Sequence, residues 1–264
     1  MTPALAVANP RPPQALSLRA ALPSRPRLAL VDPLLRRNRI LQALTDEAWA
    51  RMAPQLQLIE CPTGTILEEP GVPSPYTYFP ADAVVSLLCV THDGAASEVA
   101  RVGPEGMIGI SPILGGPATS NRAVVQTGGH AFRARADGIR AEFESGGCMQ
   151  RLLLRYTQSL LTQMAQTAVC NRRHSLHQQL CRYLLTSIDR AVSNTLAITH
   201  ERIAAMLGVR REGVTECAGQ LQRLGAIHCS RGHIAVLDRT VLEANACECY
   251  GVLRGESHHL QAAV

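Results

Sequence analysis

Apolar positions along this chain first alternate and later recur at helical spacing, and the change falls near residue 147. Thr45 followed by Asp46 and Glu47 predicts a helix start, a capping hydroxyl and then acids at the positive helix end. That helix is expected to reach about Leu56. Leu56, Leu58 and Cys61 then alternate ahead of a turn at Pro62-Thr63-Gly64. Tyr76 to Phe79 is a short aromatic run. Val84 to Val90, Asp93-Gly94 and Glu98 to Val102 read as a hairpin. Arg122 to Thr127 and His130 to Arg135, around Gly128-Gly129, read as a second hairpin. Short strands at this spacing predict a small antiparallel barrel or sandwich.

From Cys148 to Asn171 there is neither Pro nor Gly, and the period becomes helical. A helix of about 24 residues spans about 36 Å. Leu154, Leu161, Met164 and Ala168 form one stripe on it; Leu153, Tyr156 and Leu160 form a second. Two stripes ask for two partners, the β domain on one side and a second copy of the chain on the other. The dimer contact is therefore expected at Leu154, Leu161, Met164 and Ala168. Asn171-Arg172-Arg173-His174 interrupts the stripes, so a domain boundary is placed at about 172, before a helix over Leu176 to Ile188.

Thr199 to Gly208 reads as a capped helix ended by glycine, with Ile203 and Leu207 inward and Ala204 small enough for a close crossing. A second helix starts near Arg210. Val214, Cys217 or Ala218, Leu221 and Leu224 give its inner face, and Arg210, Arg211, Glu212, Thr215, Glu216 and Gln220 its outer face. Long polar groups at the N-terminal end of the second helix are what a helix-turn-helix offers to the major groove. Ile227 to Leu237 follows as a hairpin with Arg231 at its tip, a wing placed near phosphate. A last helix is expected from Thr240 to about Leu253, then a tail over 255–264.

Charge adds less than it promises. The net charge is +5 and every basic side chain is Arg, but Arg11, Arg19, Arg25 and Arg27 lie in an acid-free, proline-rich stretch. Most of the excess sits in that tail over 1–31, so any basic footprint in the folded part is local. Nine scattered cysteines read as structural or incidental thiols, with Cys247-Glu248-Cys249 lacking a second ligand pair nearby in sequence, so no metal is expected. No apolar run of membrane-spanning length and no secretory leader pattern is present, so a cytoplasmic location and no membrane partner are expected. Enzyme motifs are missing: His200-Glu201 opens like a zinc-protease helix, but Ala204 stands where the second histidine would be.

Leu207-Gly-Val-Arg-Arg-Glu-Gly-Val-Thr, Arg231-Gly-His-Ile with Leu237-Asp-Arg, Tyr78-Phe-Pro, Glu98-Val-Ala and Gly103-Pro-Glu-Gly-Met-Ile-Gly together resemble the Crp/Fnr superfamily of bacterial transcription regulators. The resemblance spans about residues 35–254. It implies an α+β chain: a cyclic-nucleotide-binding-like antiparallel β-barrel over 32–146, a dimerisation helix over 147–171 and a winged helix-turn-helix over 172–254. It implies a homodimer on a roughly palindromic site in double-stranded DNA, with RNA polymerase as a further partner. Thr199, Arg210, Arg211, Glu212, Thr215, Glu216 and Arg231 are the expected DNA contacts, and Arg211 and Glu212 match the base-reading pair. Glu216 departs from the family, many of whose members carry Arg at that position.

The sensory domain departs further. The position of the family's ribose-binding Glu is taken by Ile110 or Ser111, and Arg122 is followed by Ala123 where the phosphate pair has Ser. Cyclic AMP or GMP is therefore not expected. Residues 1–60 hold no Cys, which argues against an iron–sulfur cluster, and haem through a lone His92 or His130 is not expected either. No effector residue is named. The competing reading is a ligand- or redox-sensing interaction module without sequence-specific DNA binding.

Overall fold

The computed structural model describes residues 34–191 and 193–261; the expected tail over 1–31 lies outside them. Two short helices lead in, α1 (Arg39–Gln42) and α2 (Asp46–Met52). Thr45 caps α2, its hydroxyl accepting from Ala48 N, as its sequence implied. Seven strands follow: β1 (Gln57–Cys61), β2 (Ile66–Glu68), β3 (Tyr76–Pro80), β4 (Val84–Val90), β5 (Ala96–Val102), β6 (Arg122–Thr127) and β7 (Gly129–Arg135). They make two antiparallel sheets, ordered β1-β7-β3 and β2-β6-β4-β5. One hydrophobic cluster draws Phe79 and Phe132 from the first sheet and Val85 and Val125 from the second, so the sheets form a jelly-roll-like sandwich.

The hairpin at 84–102 is present, with Val85 opposite Val102 and Val90 opposite Ala96. The one expected at 122–135 is not. β6 pairs with β2 and β4, whereas β7 pairs with β1 and β3. The chain changes sheets at Gly128, whose N–H is taken by the Thr63 hydroxyl at 2.9 Å, while His130 N–H goes to Asp82 Oδ1 at 2.5 Å. Those bonds replace the ladder a hairpin would need. A helix absent from the sequence reading, α3 (Ala136–Glu144), closes the domain.

α4 (Gly147–Arg173) is the long helix, 27 residues. Met149, Leu153, Tyr156 and Leu160 are buried against the sandwich, and the Tyr156 hydroxyl donates to Met107 O at 2.6 Å. Gly106 permits this approach, since a Cβ there would lie 2.4 Å from the Tyr156 ring. The helix runs two residues past the expected end at 171, because Arg172 and Arg173 are ordinary helix formers with solvated side chains. It stops at His174, where Ser175 and Gln178 form a capping box for α5 (Leu176–Ile188).

The C-terminal half has its own core, built from Leu180, Leu184, Ile203, Leu221, Ile234 and Leu242 among others. Its elements are β8 (Thr195–Leu196), α6 (His200–Leu207), α7 (Arg211–Arg223), β9 (Ile227–Ser230), β10 (His233–Val236), α8 (Arg239–Asn245) and α9 (Cys249–Gln261). The single last helix expected over 240–253 is two helices. Ala246 is extended (φ −79, ψ 159) and turns Cys247 and Cys249 inward. The tail expected from 255 is helical as far as Gln261, since no proline interrupts it.

Candidate nucleic-acid interface

The Thr199 hydroxyl accepts from Arg202 N at 3.2 Å and so starts α6; this DNA-contact candidate acts as a helix cap. Gly208 ends the helix in the left-handed conformation (φ 67, ψ 35), which a side chain would resist. α7 then crosses it, with Ile203, Ala204 and Leu207 on one side meeting Val214, Ala218 and Leu221 on the other. Ala218 takes the inner position that Cys217 was the alternative for. Leu224, expected inside, is 56% exposed, because the helix caps off at this residue.

Arg210, Arg211, Glu212, Thr215 and Glu216 all stand exposed on the outer face of the first turns of α7. Arg211 Nε lies 3.8 Å from Glu201 Oε2, a solvated pair that a phosphate or base can displace cheaply. His200 Nδ1 faces the Thr215 hydroxyl at 3.1 Å, a cross-helix contact absent from the sequence reading. Burial and the nearby Arg211 charge lower the His200 pKa, which favours its neutral ring. The α7 N-terminus has no side-chain cap, which leaves first-turn N–H groups available to an anion. β8, β10 and β9 make a three-stranded wing, one strand more than expected, and Arg231 is exposed at its tip beside Gly232.

The two stripes of α4 behave differently. Leu154 and Leu161 are 51% and 57% exposed, and Ala168 is exposed beside them. Met164 is only half exposed and packs on the sandwich core. It joins Thr157, Leu160 and Leu161 in lining a cavity of about 460 Å³ between α4 and the sandwich. Ile110, Ser111 and Asn121 line the same cavity, so the positions where cyclic-nucleotide chemistry was sought do surround one space. Glu68, which sequence reasoning missed, is in its wall, with its carboxyl pushed up to about 7 by burial. Arg122 is not among the lining residues; its guanidinium pairs with Glu69 at 2.8 Å.

Four of the side chains that the sequence left scattered come together at one place. Cys170, His174, Cys247 and Cys249 converge, each offering one ligand atom, and those atoms all lie within 4.8 Å of one another. Burial pushes the Cys170 thiol up to about 12 and raises that of Cys249 too, so neither is a reactive thiolate by itself.

A family model described as a Crp-like helix-turn-helix domain matches residues 178–244. A CRP-like cAMP-activated global transcriptional regulator from Mycobacterium tuberculosis is 26% identical over 224 residues, covering 82% of this chain and all of that protein. The solved structure of FixK2 from Bradyrhizobium japonicum superposes with a TM-score of 0.64 at 17% identity, covering 73% of this chain and 98% of FixK2. A transcriptional regulator of the Crp/Fnr family from Eubacterium rectale gives 0.62 at 18% identity, covering 78% and 96%.

Proposed function

We propose that the chain is a DNA-binding transcription regulator of the Crp/Fnr superfamily, as its Crp-like helix-turn-helix match and its CRP-like relative support, and that it reads a roughly palindromic operator as a cytoplasmic homodimer. The observation that carries this reading is the exposed polar first turn of α7, backed by a buried apolar face and flanked by the wing. In this reading Arg211 donates both guanidinium N–H groups to a guanine edge and Glu212 accepts from a cytosine amino group. Arg210 and Arg231 meet phosphates. Glu216 cannot donate to guanine, so the half-site differs from the family's usual one at that base. Two α7 helices related by a two-fold axis sit about 34–36 Å apart, one helical turn of DNA. The seam is the exposed stripe of Leu154, Leu161 and Ala168, with Met164 at its edge. RNA polymerase is a further partner in this reading.

The mycobacterial relative is named for activation by cAMP. No cationic side chain is among the described residues lining the cavity here, and a cyclic phosphate placed in it would face Glu68. An uncharged or cationic effector suits the lining better.

Selection of bound sequences from random duplex DNA, with the ligand-free chain at near-physiological salt, tests the reading. A two-fold symmetric consensus is the expected result. Binding that is salt-sensitive but yields no consensus would leave only phosphate attraction and sink the sequence-reading role of the ligand-free chain.

A further inference from the structure

A third buried cluster stands apart from the two cores, and it consists of Cys170, Cys247 and Cys249 alone. Packing by itself does not ask for this, since aliphatic side chains fill such a gap without polar atoms. Cys170 is in the last turn of α4 and His174 is the residue that ends it, its N–H still bonded to Cys170 O. Cys249 is the first residue of α9, and Cys247 lies two residues before it in the link from α8.

Four details point to a ligand. Cys170 Sγ is 3.6 Å from Cys247 Sγ, and Cys249 Sγ is 3.6 Å from His174 Nδ1. A tetrahedral zinc, bonded at about 2.3 Å to sulfur and about 2.0 Å to nitrogen, holds its ligand atoms about 3.5–3.8 Å apart. His174 Nε2 sits 3.2 Å from Glu248 Oε1, which fixes the tautomer that turns Nδ1 toward the thiols. Arg182, 8% exposed, has an Nε without a hydrogen-bond partner, and its charge acts on Cys170 and Cys249. Three thiolates on a divalent ion carry one net negative charge, which Arg182 and the positive end of α9 offset. The four ligand atoms lie within 4.8 Å of one another, a spacing for one ion rather than an iron–sulfur cluster.

We infer that Cys170, His174, Cys247 and Cys249 form a mononuclear zinc site that ties the end of the long helix α4 to α9 of the DNA-binding domain. The α4–α5 break at His174 is the one chain connection between the dimer seam and the reading head that lies beside these ligands. A metal there turns that hinge into a rigid joint. Glu248 is a positioning residue for His174.

The test uses the full chain, expressed with zinc and purified under reducing conditions. Elemental analysis is expected to give one zinc per chain, and cobalt exchanged into the same protein to give the intense visible bands of a tetrahedral thiolate site. Chelation should expose three thiols to titration and open Arg172 and Arg173 to trypsin. Cys247→Ser and His174→Ala are expected to lose the metal, Glu248→Gln to weaken cobalt binding about 10- to 100-fold, and Cys89→Ser, an exposed thiol outside the cluster, to keep it. Wild-type protein that is folded by circular dichroism yet takes up neither zinc nor tetrahedral cobalt would overturn the site. So would full zinc occupancy surviving Cys247→Ser with Cys249→Ser. Should the variants fail to fold, the cobalt spectrum and thiol count of the wild type decide.

Discussion

Arg211 is 65% exposed and held only by a 3.8 Å contact to Glu201, so its role can be removed without touching a core. Arg211→Ala is expected to weaken operator binding by about 1–3 kcal/mol per half-site, roughly 5- to 150-fold, with the fold and the dimer unchanged. Fluorescence anisotropy on operator and scrambled duplexes reads this, and equal loss on both would reassign Arg211 to phosphate. Glu68 is the opposite kind of residue, buried in the cavity wall with its carboxyl raised to about 7 by desolvation. A carboxyl that holds its proton more tightly folded than unfolded loses stability for the chain as pH rises between its ordinary value and about 7. Glu68→Gln removes that loss. Its stability relative to wild type is expected to grow from pH 5 to pH 8 by an amount on the order of 3 kcal/mol at most, and urea midpoints at the two pH values measure it. The exposed position of Arg211 was legible because local helical spacing alone sets which face it takes. Glu68 was invisible because nothing in Ile66-Leu-Glu68 says which strand end borders a cavity.

α4 was the most legible element, because a helical stripe is a local pattern. The stripe of Leu153, Tyr156 and Leu160 is buried and that of Leu154 and Leu161 is exposed, which leaves the second stripe free for the partner copy proposed above. Leu154→Glu is the cleaner test of the seam, since Leu161 also borders the cavity. The variant is expected to sediment as a monomer and to bind operator at least 10-fold more weakly, while its own melting shifts little, because a half-exposed site tolerates charge. An intact dimer would show that the seam lies elsewhere. Elements whose pairing is set at a distance were less legible. Gly128-Gly129 has the chemistry of a hairpin turn, yet β6 and β7 belong to different sheets, because Thr63 and Asp82 capture the N–H groups there. α3 offers only Ala136 and Ile139 as buried apolar residues, too little periodicity to announce a helix. The Cys170–Cys247 approach spans 77 residues, so a search for neighbouring ligand pairs passed over it.

The two halves of the chain have separate cores, and a polar network is a large part of what joins them. Arg101 on β5 is 3% exposed and pairs with Glu98 at 2.7 Å. Its guanidinium lies 4.1 Å from the centroid of the Tyr183 ring and donates to the Ser187 hydroxyl, both on α5 of the DNA-binding half. Gln126 on β6 donates to the Tyr183 hydroxyl, Arg190 pairs with Glu105 at 2.6 Å, and Arg202 on α6 donates to Val125 O at 3.3 Å. Removing one member of a buried ion pair strands its partner, at a cost of about 3–5 kcal/mol. Arg101→Ala should therefore leave Glu98 uncompensated and uncouple the halves before it unfolds either. The chain's one tryptophan makes this measurable, since Trp49 packs on the sandwich core. Its fluorescence reports the sandwich, whereas far-UV ellipticity is dominated by the helices, most of which lie outside the sandwich. In the wild type the two urea curves are expected to coincide. In Arg101→Ala the ellipticity should begin to fall at lower urea than the fluorescence. Arg101→Met with Glu98→Leu fills the same space without charge, and coincident curves should return. Curves that coincide in Arg101→Ala would assign the coupling to Arg190–Glu105 and the apolar contacts; curves still split in the double variant would assign it to the charge itself.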